Sequence, residues 1–315
     1  MVERVEYDEF GLFHENAEEY GLAYSGPPSV RRVVVDVAPG RRLSALVWGD
    51  AEPELVLVHG GAQNAHTWDT VALALGRPLV AIDLPGHGHS DGPGEIDGPE
   101  GNGRDLAVAI RALAPQARAV VGMSLGGLST IALARHAPEL VRKVLLVDIV
   151  PGTGDPADAD RGRHITDFTS GPRSFASFDE LLERTMKFNP TRSRSSLRRG
   201  ILHNAEQQED GTWVWRWARH RSPDAESRSQ GERASGPDEL WSAVEGITVP
   251  VLLARGMRPD SVVSDLGEAE LVRRLPAARV VHFPEAGHSL QGDTPLELAA
   301  LIDEYVFGET DTASP

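Results

Sequence analysis

The feature that most constrains the fold is a short apolar strand that runs directly into a glycine-rich turn and a helix. The stretch Ala-Arg-Ala-Val-Val-Gly-Met-Ser-Leu-Gly-Gly-Leu begins at Ala117, and a helix-forming sequence continues to Leu140. This order predicts that Ser124 lies on a sharp turn between a buried strand and a helix N-terminus. A hydroxyl held at such a turn is exposed at the edge of a sheet, so Ser124 is the candidate nucleophile.

The Gly-x-Ser-x-Gly pattern occurs a second time, around Ser90. The apolar strand before Ser90 ends several residues too early, and the stretch from Pro93 to Pro99 is rich in glycine and proline. Such a composition predicts a loop, with no helix starting at the serine. Because structural context identifies this motif and the bare pattern does not, we assign the nucleophile to Ser124 alone.

Composition bounds the class of protein. The chain has 315 residues, 40% hydrophobic and 25% charged, which fits one large α/β domain with an insertion. A net charge of -16 argues against a nucleic-acid partner, which needs a clustered basic surface. The absence of cysteine excludes disulfides and thiolate nucleophiles. The N-terminus is acidic, and no apolar run reaches about 18 residues, so we expect a cytoplasmic protein without a membrane span.

Apolar runs of four residues, typical of strands buried on both faces, alternate with helix-forming stretches along most of the chain. This alternation predicts an α/β fold with a mostly parallel central sheet flanked by helices. The alternation stops in one block, which we interpret as a mainly helical cap inserted over the carboxyl edge of the sheet. The predicted division is an N-terminal extension (1–29), a core (30–150 and 237–308), a cap (151–236) and a tail (309–315).

A serine nucleophile needs a base and an acid that orients the base. His288 is the candidate base, because it follows the last predicted strand in a glycine-containing loop. Asp260 is the preferred acid, because it lies beyond the preceding strand and completes the chain order serine, aspartate, histidine. Asp148, at the end of the strand before the cap, is the alternative, and Asp265 is a weaker third option.

Acyl transfer also needs hydrogen-bond donors for the developing oxyanion. We expect one donor to be the backbone N–H of Leu125, which follows the nucleophile, and the second to be that of Gly61. The loop that carries Gly61 begins at His59, whose side chain we expect to brace the loop by hydrogen bonding. His87 and His89 flank a glycine in a turn with no further ligand cluster, so we predict no metal site.

These motifs resemble those of the alpha/beta hydrolase superfamily. The resemblance runs from about residue 30 to residue 308 and rests on His59-Gly60-Gly61, Asp83 to Gly88, Gly122 to Gly127, Asp260 and Gly287-His288. It implies the alpha/beta hydrolase fold with an inserted cap, no cofactor, and a serine nucleophile in place of the aspartate of haloalkane dehalogenases and epoxide hydrolases. Within the superfamily the chain is similar to cap-bearing serine esterases and to enzymes that cleave monoalkyl phthalates.

The resemblance implies a carboxylic ester hydrolase that acts on a small-molecule ester, including one with a free carboxylate. A C–C bond hydrolase, a lactonase or a thioesterase with the same triad is the alternative, and a non-catalytic ligand-binding receptor is the alternative from another class. Three cap residues are candidates for substrate binding: Trp213 and Trp215 as a pocket wall, and Arg192 as the partner of a carboxylate. Packing inside the cap and plain solvent exposure are the competing interpretations.

Overall fold

The computed structural model describes residues 4–94, 98–153, 161–217 and 236–308. The strands within these ranges are β1 (Val30–Ala38), β2 (Arg41–Trp48), β3 (Leu55–Val58), β4 (Leu79–Ile82), β5 (Ala119–Met123), β6 (Val144–Val147), β7 (Ser174–Phe175), β8 (Ala205–Gln207), β9 (Trp213–Trp215), β10 (Val251–Gly256) and β11 (Arg279–Phe283). Eight of them form one sheet in the order β1-β2-β4-β3-β5-β6-β10-β11. β2 pairs antiparallel with β1 and β4, and every other neighbouring pair is parallel, which confirms the predicted mostly parallel sheet.

Helices cover both faces of this sheet. The helices within the described ranges, including those away from the sheet, are α1 (Phe13–Tyr20), α2 (Asp69–Leu75), α3 (Gly98–Leu113), α4 (Leu125–His136), α5 (Arg163–Thr169), α6 (Phe178–Phe188), α7 (Arg194–Asn204), α8 (Pro237–Glu245), α9 (Asp265–Arg274), α10 (Leu290–Asp293) and α11 (Pro295–Phe307). The helices α3, α4, α8 and α9 pack on one face, and α1, α2 and α11 pack on the other. Across the described ranges, no helix combines the length and the apolar character needed to cross a bilayer.

The central strands are apolar at every position because both of their faces are buried. In β3, Val56 and Val58 belong to the core on one face, and Leu55 and Leu57 belong to the core on the other. Side chains of a strand alternate between faces, so a sheet covered by helices on both sides requires this uninterrupted apolar run. The parallel strands all end at the same edge, where their following loops meet.

The chain leaves the main sheet after β6 and returns at α8. We call residues 161–217 the insertion; they contain α5 to α7 and a three-stranded antiparallel sheet in the order β7-β9-β8. The insertion buries its own apolar cluster, which includes Leu181, Ile201 and Trp215. Of the predicted cap, residues 154–160 and 218–235 lie outside the described residues, as does the predicted tail, 309–315.

The predicted N-terminal extension contains a helix that is anchored in the core. Phe13, at the start of α1, is 1% exposed, and its ring meets that of Trp48 edge-on at 4.9 Å between centroids. Ala17, one turn later, is also buried. An apolar residue at every fourth position of an otherwise acidic helix therefore holds α1 against the sheet, close to α2.

Candidate active site

Ser124 occupies the turn between β5 and α4 that the sequence predicts. Its backbone has φ 52° and ψ −120°, a conformation that residues other than glycine rarely adopt. The helix can start this close to the sheet because residue 126 is glycine: a Cβ there would lie 2.4 Å from the carbonyl oxygen of Val58. Packing thus holds the strained turn in place and presents Ser124 at the carboxyl edge of the sheet, where it lines a cavity.

His288, the predicted base, hydrogen-bonds to Asp148 in the structure. His288 Nδ1 lies 2.9 Å from Asp148 Oδ2, and the Asp148 side chain is fully buried. Backbone N–H groups of Gly256 and Val262 and the hydroxyl of Ser261 donate to the same carboxylate at 2.7–3.0 Å. These donors fix both oxygens of Asp148, so its carboxylate can hold one tautomer and one orientation of the histidine ring.

The partner of His288 Nδ1 in the structure is thus Asp148, and not Asp260, the acid that the sequence analysis preferred. Asp260 lines the cavity, but among the described residues no hydrogen bond joins it to His288. Its carboxylate packs against Gly287, where an added Cβ would lie 2.0 Å from Asp260 Oδ2. Asp148 directly follows β6, which runs parallel to β10, so the end of β10 and the loop after it hold its carboxylate where it bonds to His288. Asp265 pairs with Arg255 at the surface, with its side chain 91% exposed.

In the loop after β3, His59 fixes the orientation of the peptide between Gly60 and Gly61. His59 Nδ1 lies 2.7 Å from the carbonyl oxygen of Gly60, and the N–H of Leu84 donates to His59 Nε2 at 2.9 Å. A histidine with an N–H donor on Nε2 must carry its own proton on Nδ1, so it donates to Gly60. Since the N–H of a peptide points opposite to its carbonyl, this bond orients the N–H of Gly61. Gly61 and Leu125 both line the cavity with Ser124.

The bracing role expected for His59 gives a pH-dependent stability. Burial, together with the nearby His87, lowers the His59 pKa from 6.5 to about 3. The unfolded chain takes up a proton at this histidine as pH falls below 6.5, whereas the folded protein does not until about pH 3. Stabilisation by neutral His59 is therefore complete above pH 6.5 and is lost on acidification.

We expect wild type to lose about 2 kcal/mol more unfolding free energy than His59→Asn between pH 7 and pH 5. The asparagine variant lacks the group that titrates, although it is less stable at neutral pH. Urea unfolding of both proteins at the two pH values measures this difference. Equal pH dependence in the two proteins would contradict the burial of a neutral imidazole.

The duplicate motif at Ser90 has a structural role. Ser90 is buried; its hydroxyl donates to the carbonyl of Asp83 at 2.6 Å and accepts from the N–H of Ser44 at 2.9 Å. The neighbouring His87 Nε2 accepts from the N–H of Ala62 at 3.1 Å, so it supports the loop after β3 (residues 59–64). The turn that contains these residues therefore connects β2 with the loop after β3.

The cavity has a volume of about 600 Å³ and lies between the sheet edge, the insertion and α1. Of the three predicted substrate-binding residues, Trp215 and Arg192 line it. Trp213 is 4% exposed and packs edge-on against Phe178, with ring centroids 5.0 Å apart, so its indole belongs to the core of the insertion. Both tryptophans lie on the buried face of β9, as the period-two pattern predicts, but that face is mostly internal to the insertion.

The sequence analysis missed the contribution of α1 to this cavity. Asn16 and Tyr20 line it, and the Tyr20 hydroxyl donates to the carbonyl of Gly292 at 3.2 Å. Glu19 also forms an ion pair with the buried Arg199 of α7. The position of Phe13 and Ala17 on one helical face was the pattern that could have shown that α1 is folded against the core.

His66, Asp69 and His203 form a buried cluster beside the cavity, with ligand atoms within 4.8 Å of one another. The two imidazole rings stack, with centroids 3.8 Å apart and 11° between their planes. An imidazole binds a metal ion in its own ring plane, so stacked rings cannot share one ion unless they turn. Burial disfavours charge on His66, but Asp69 and Glu9 outweigh burial and raise its pKa to about 9. The cluster therefore favours a protonated His66 beside Asp69 and Glu9, and we assign no metal ion to these three residues.

Comparison with known proteins identifies the family and supports the fold. The model of the alpha/beta hydrolase family matches residues 55–301. Esterase Rv0045c of Mycobacterium tuberculosis is 43% identical over 314 residues, covering 97% of this chain and 96% of the relative. A solved structure of that esterase superposes with a TM-score of 0.78 at 39% identity, covering 96% of this chain and 99% of the other.

A 3-hydroxybutyrate-oligomer hydrolase of Cupriavidus necator is 30% identical over 271 residues, covering 82% of this chain and 90% of the relative. The match to the mycobacterial esterase extends over nearly the whole chain. It therefore includes, besides the central sheet, the N-terminal helix and the insertion, which line the cavity.

Proposed function

Since this chain belongs to the alpha/beta hydrolase family and is a carboxylic ester hydrolase, we propose that it cleaves small esters through an acyl-enzyme on Ser124. His288 acts as the base, Asp148 orients it, and the N–H groups of Gly61 and Leu125 bind the oxyanion. The observation that supports this most directly is the 2.9 Å hydrogen bond between His288 and the buried Asp148, beside the cavity that Ser124 lines.

In the proposed reaction the Ser124 oxygen attacks the ester carbonyl carbon while His288 Nε2 takes the serine proton. The negative charge that develops on the carbonyl oxygen is stabilised by the two backbone N–H groups. Collapse breaks the bond to the alcohol oxygen, which receives the proton from His288. Water then attacks the acyl-enzyme with the same histidine as base, which releases the carboxylic acid and restores the serine.

The lining of the cavity supports a substrate with an apolar part. Ile165 and Phe168 of α5 and Phe188 of α6 line it, and Phe168 and Phe188 lie 5.4 Å apart between ring centroids. Apolar and aromatic side chains are typical walls of small-molecule sites. A cavity of about 600 Å³ holds a small or medium-sized ester in full.

The electrostatics of the cavity favour a neutral ester over one with a free carboxylate. Arg192 lines the cavity, and its Nη2 donates to the hydroxyl of Ser196 at 2.5 Å. Asp260 and Asp293 line the same cavity, and burial with the neighbouring Asp260 raises the pKa of Asp293. The other cations of the lining are paired or exposed: Arg199 forms an ion pair with Glu19, His66 one with Asp69, and Lys187 is exposed. A substrate carboxylate would therefore meet acidic side chains as well as Arg192. We propose neutral alkyl esters, and not monoalkyl phthalates, as the preferred class.

Labelling by a fluorophosphonate tests the proposed nucleophile. We expect one phosphonyl group per chain, mapped by peptide mass spectrometry to the peptide that contains Ser124, with loss of p-nitrophenyl butyrate hydrolysis in parallel. Label on any other residue, Ser90 included, would refute the assignment. A panel with a lactone, a thioester and a vinylogous diketo acid identifies the bond, because turnover of only one of these would replace the ester proposal.

A further inference from the structure

The side chain of Asn204 links the insertion to the loop after β3 (residues 59–64), which carries Gly61. Asn204 is the last residue of α7, and its Nδ2 donates to the carbonyl oxygen of Ala62 at 2.7 Å. Its Oδ1 accepts from Nδ2 of Asn64 at 3.3 Å, and the same Asn64 group donates to the carbonyl of His203 at 3.0 Å. Ala62 also packs against the apolar cluster of the insertion. Asn204 therefore joins the end of α7 to the loop that carries Gly61.

The orientation of the Asn204 amide follows from its neighbours. Asn64 Oδ1 accepts from the N–H of His66 at 3.0 Å, so Asn64 must present its NH₂ group to Asn204. Asn204 must then present its oxygen to Asn64 and its NH₂ group to the Ala62 carbonyl, which is only an acceptor. If the Asn204 amide were flipped, its oxygen would face the Ala62 carbonyl oxygen and its NH₂ group would face that of Asn64. The contact with Ala62 is therefore a hydrogen bond that Asn204 donates.

The loop that receives this bond is held in a conformation it would not adopt alone. Ala62 has φ 59°, in the left-handed region that alanine avoids. Its N–H donates to His87 Nε2 at 3.1 Å, and the N–H of Gly60 donates to Gln63 Oε1 at 3.0 Å. Asn204 restrains the Ala62 carbonyl with a hydrogen bond from the insertion, beside the packing of Ala62 against the apolar cluster of the insertion.

We propose that Asn204 is a positioning residue for the oxyanion hole, and that through it the placement of the insertion sets the geometry of the Gly61 N–H. This inference rests on the proposed function. The Ala62 carbonyl shares a peptide with the N–H of Gln63, which donates to the Gly60 carbonyl at 3.3 Å, and that carbonyl shares a peptide with the Gly61 N–H. Without the Asn204 donor, the Ala62–Gln63 peptide relaxes toward an unstrained conformation and removes this restraint from the peptide that carries the Gly61 N–H. A donor displaced by a fraction of an ångström stabilises the oxyanion less, while the bound ester is held as before.

The test compares Asn204→Asp, Asn204→Ala and Gln208→Glu. The first keeps size and the acceptor for Asn64 but loses the donor, and the second loses the donor without adding charge. Gln208→Glu is the matched control, because this amide donates within the insertion, to the carbonyl of Glu206. Rates are expressed per active site, counted by fluorophosphonate labelling and intact mass, so that unfolded protein does not enter the comparison.

We expect both Asn204 variants to lose about tenfold or more in kcat, with KM within about twofold of wild type. The factor should be the same for p-nitrophenyl acetate and p-nitrophenyl butyrate, because every ester uses the same oxyanion hole. Gln208→Glu should retain the wild-type kcat.

Three outcomes would overturn the role of Asn204. They are a wild-type kcat in Asn204→Ala, a loss confined to KM, or a loss that depends on acyl length, which would mean that the side chain contacts substrate. Failure of the proposed function is distinguished by Ser124→Ala: if that variant still hydrolyses the esters, the acyl-enzyme itself is wrong.

Discussion

Replacing Ser124 by alanine should lower kcat for p-nitrophenyl butyrate by about 10⁴-fold or more, because the variant lacks the proposed nucleophile. Alanine adopts the backbone angles of residue 124 no less readily than serine, so the midpoint of urea unfolding should stay close to that of wild type. Initial rates at saturating ester, measured beside urea denaturation, give both quantities.

Ser90→Ala is the matched control, since it alters the serine of the duplicate motif. We expect it to keep wild-type kcat and to lose about 1–2 kcal/mol of unfolding free energy, because the N–H of Ser44 loses its buried acceptor. Activity retained in Ser124→Ala, or lost in Ser90→Ala with the fold intact, would reverse the assignment of the two motifs.

Asp148→Asn should lower kcat/KM by about 10⁴-fold. The amide must direct its NH₂ group toward Val262 and His288 or toward Gly256 and Ser261, all of which are donors in wild type. In the second orientation the imidazole keeps an acceptor, but a neutral one that no longer stabilises the imidazolium by its charge. In the first orientation the imidazole loses its acceptor, and the tautomer with the proton on Nε2 becomes accessible. That tautomer cannot take the proton of the serine.

Asp260→Asn provides the comparison, and we expect its kcat/KM to remain within about threefold of wild type, because the side chain lines the cavity without bonding to His288. Hydrolysis of one ester by the two variants under identical conditions measures the difference. A larger loss in Asp260→Asn than in Asp148→Asn would show that the acid operates from the end of β10 during turnover.

The sequence analysis succeeded where function depends on local pattern. A strand, a glycine-rich turn and a helix in immediate succession determine the position of Ser124, since no other local structure accommodates that order. The same holds for the mostly parallel sheet, because strands buried on both faces cannot contain polar residues. His59 was interpreted as a brace from its place at the strand end, and its ring does bond to the Gly60 carbonyl.

Local sequence pattern could not identify the aspartate that bonds to His288, because this depends on which of two adjacent strand ends lies nearer to the histidine. Asp148 follows β6 and Asp260 follows β10, and these two strands are parallel neighbours in the sheet. The chain order serine, aspartate, histidine holds with either aspartate. Trp213 and Trp215 posed the same difficulty: alternation shows which face is buried, but it does not show whether that face meets the sheet or the interior of the insertion.

The wall that α1 contributes has a consequence for how such a protein can be altered. Asn16 and Tyr20 line the cavity in which the ester would bind, although they precede β1 and belong to neither the sheet nor the insertion. A truncation that removes the residues before β1 would keep every proposed catalytic residue and still change the wall of the cavity. Substitutions in α1 can therefore change substrate selectivity without altering any proposed catalytic residue.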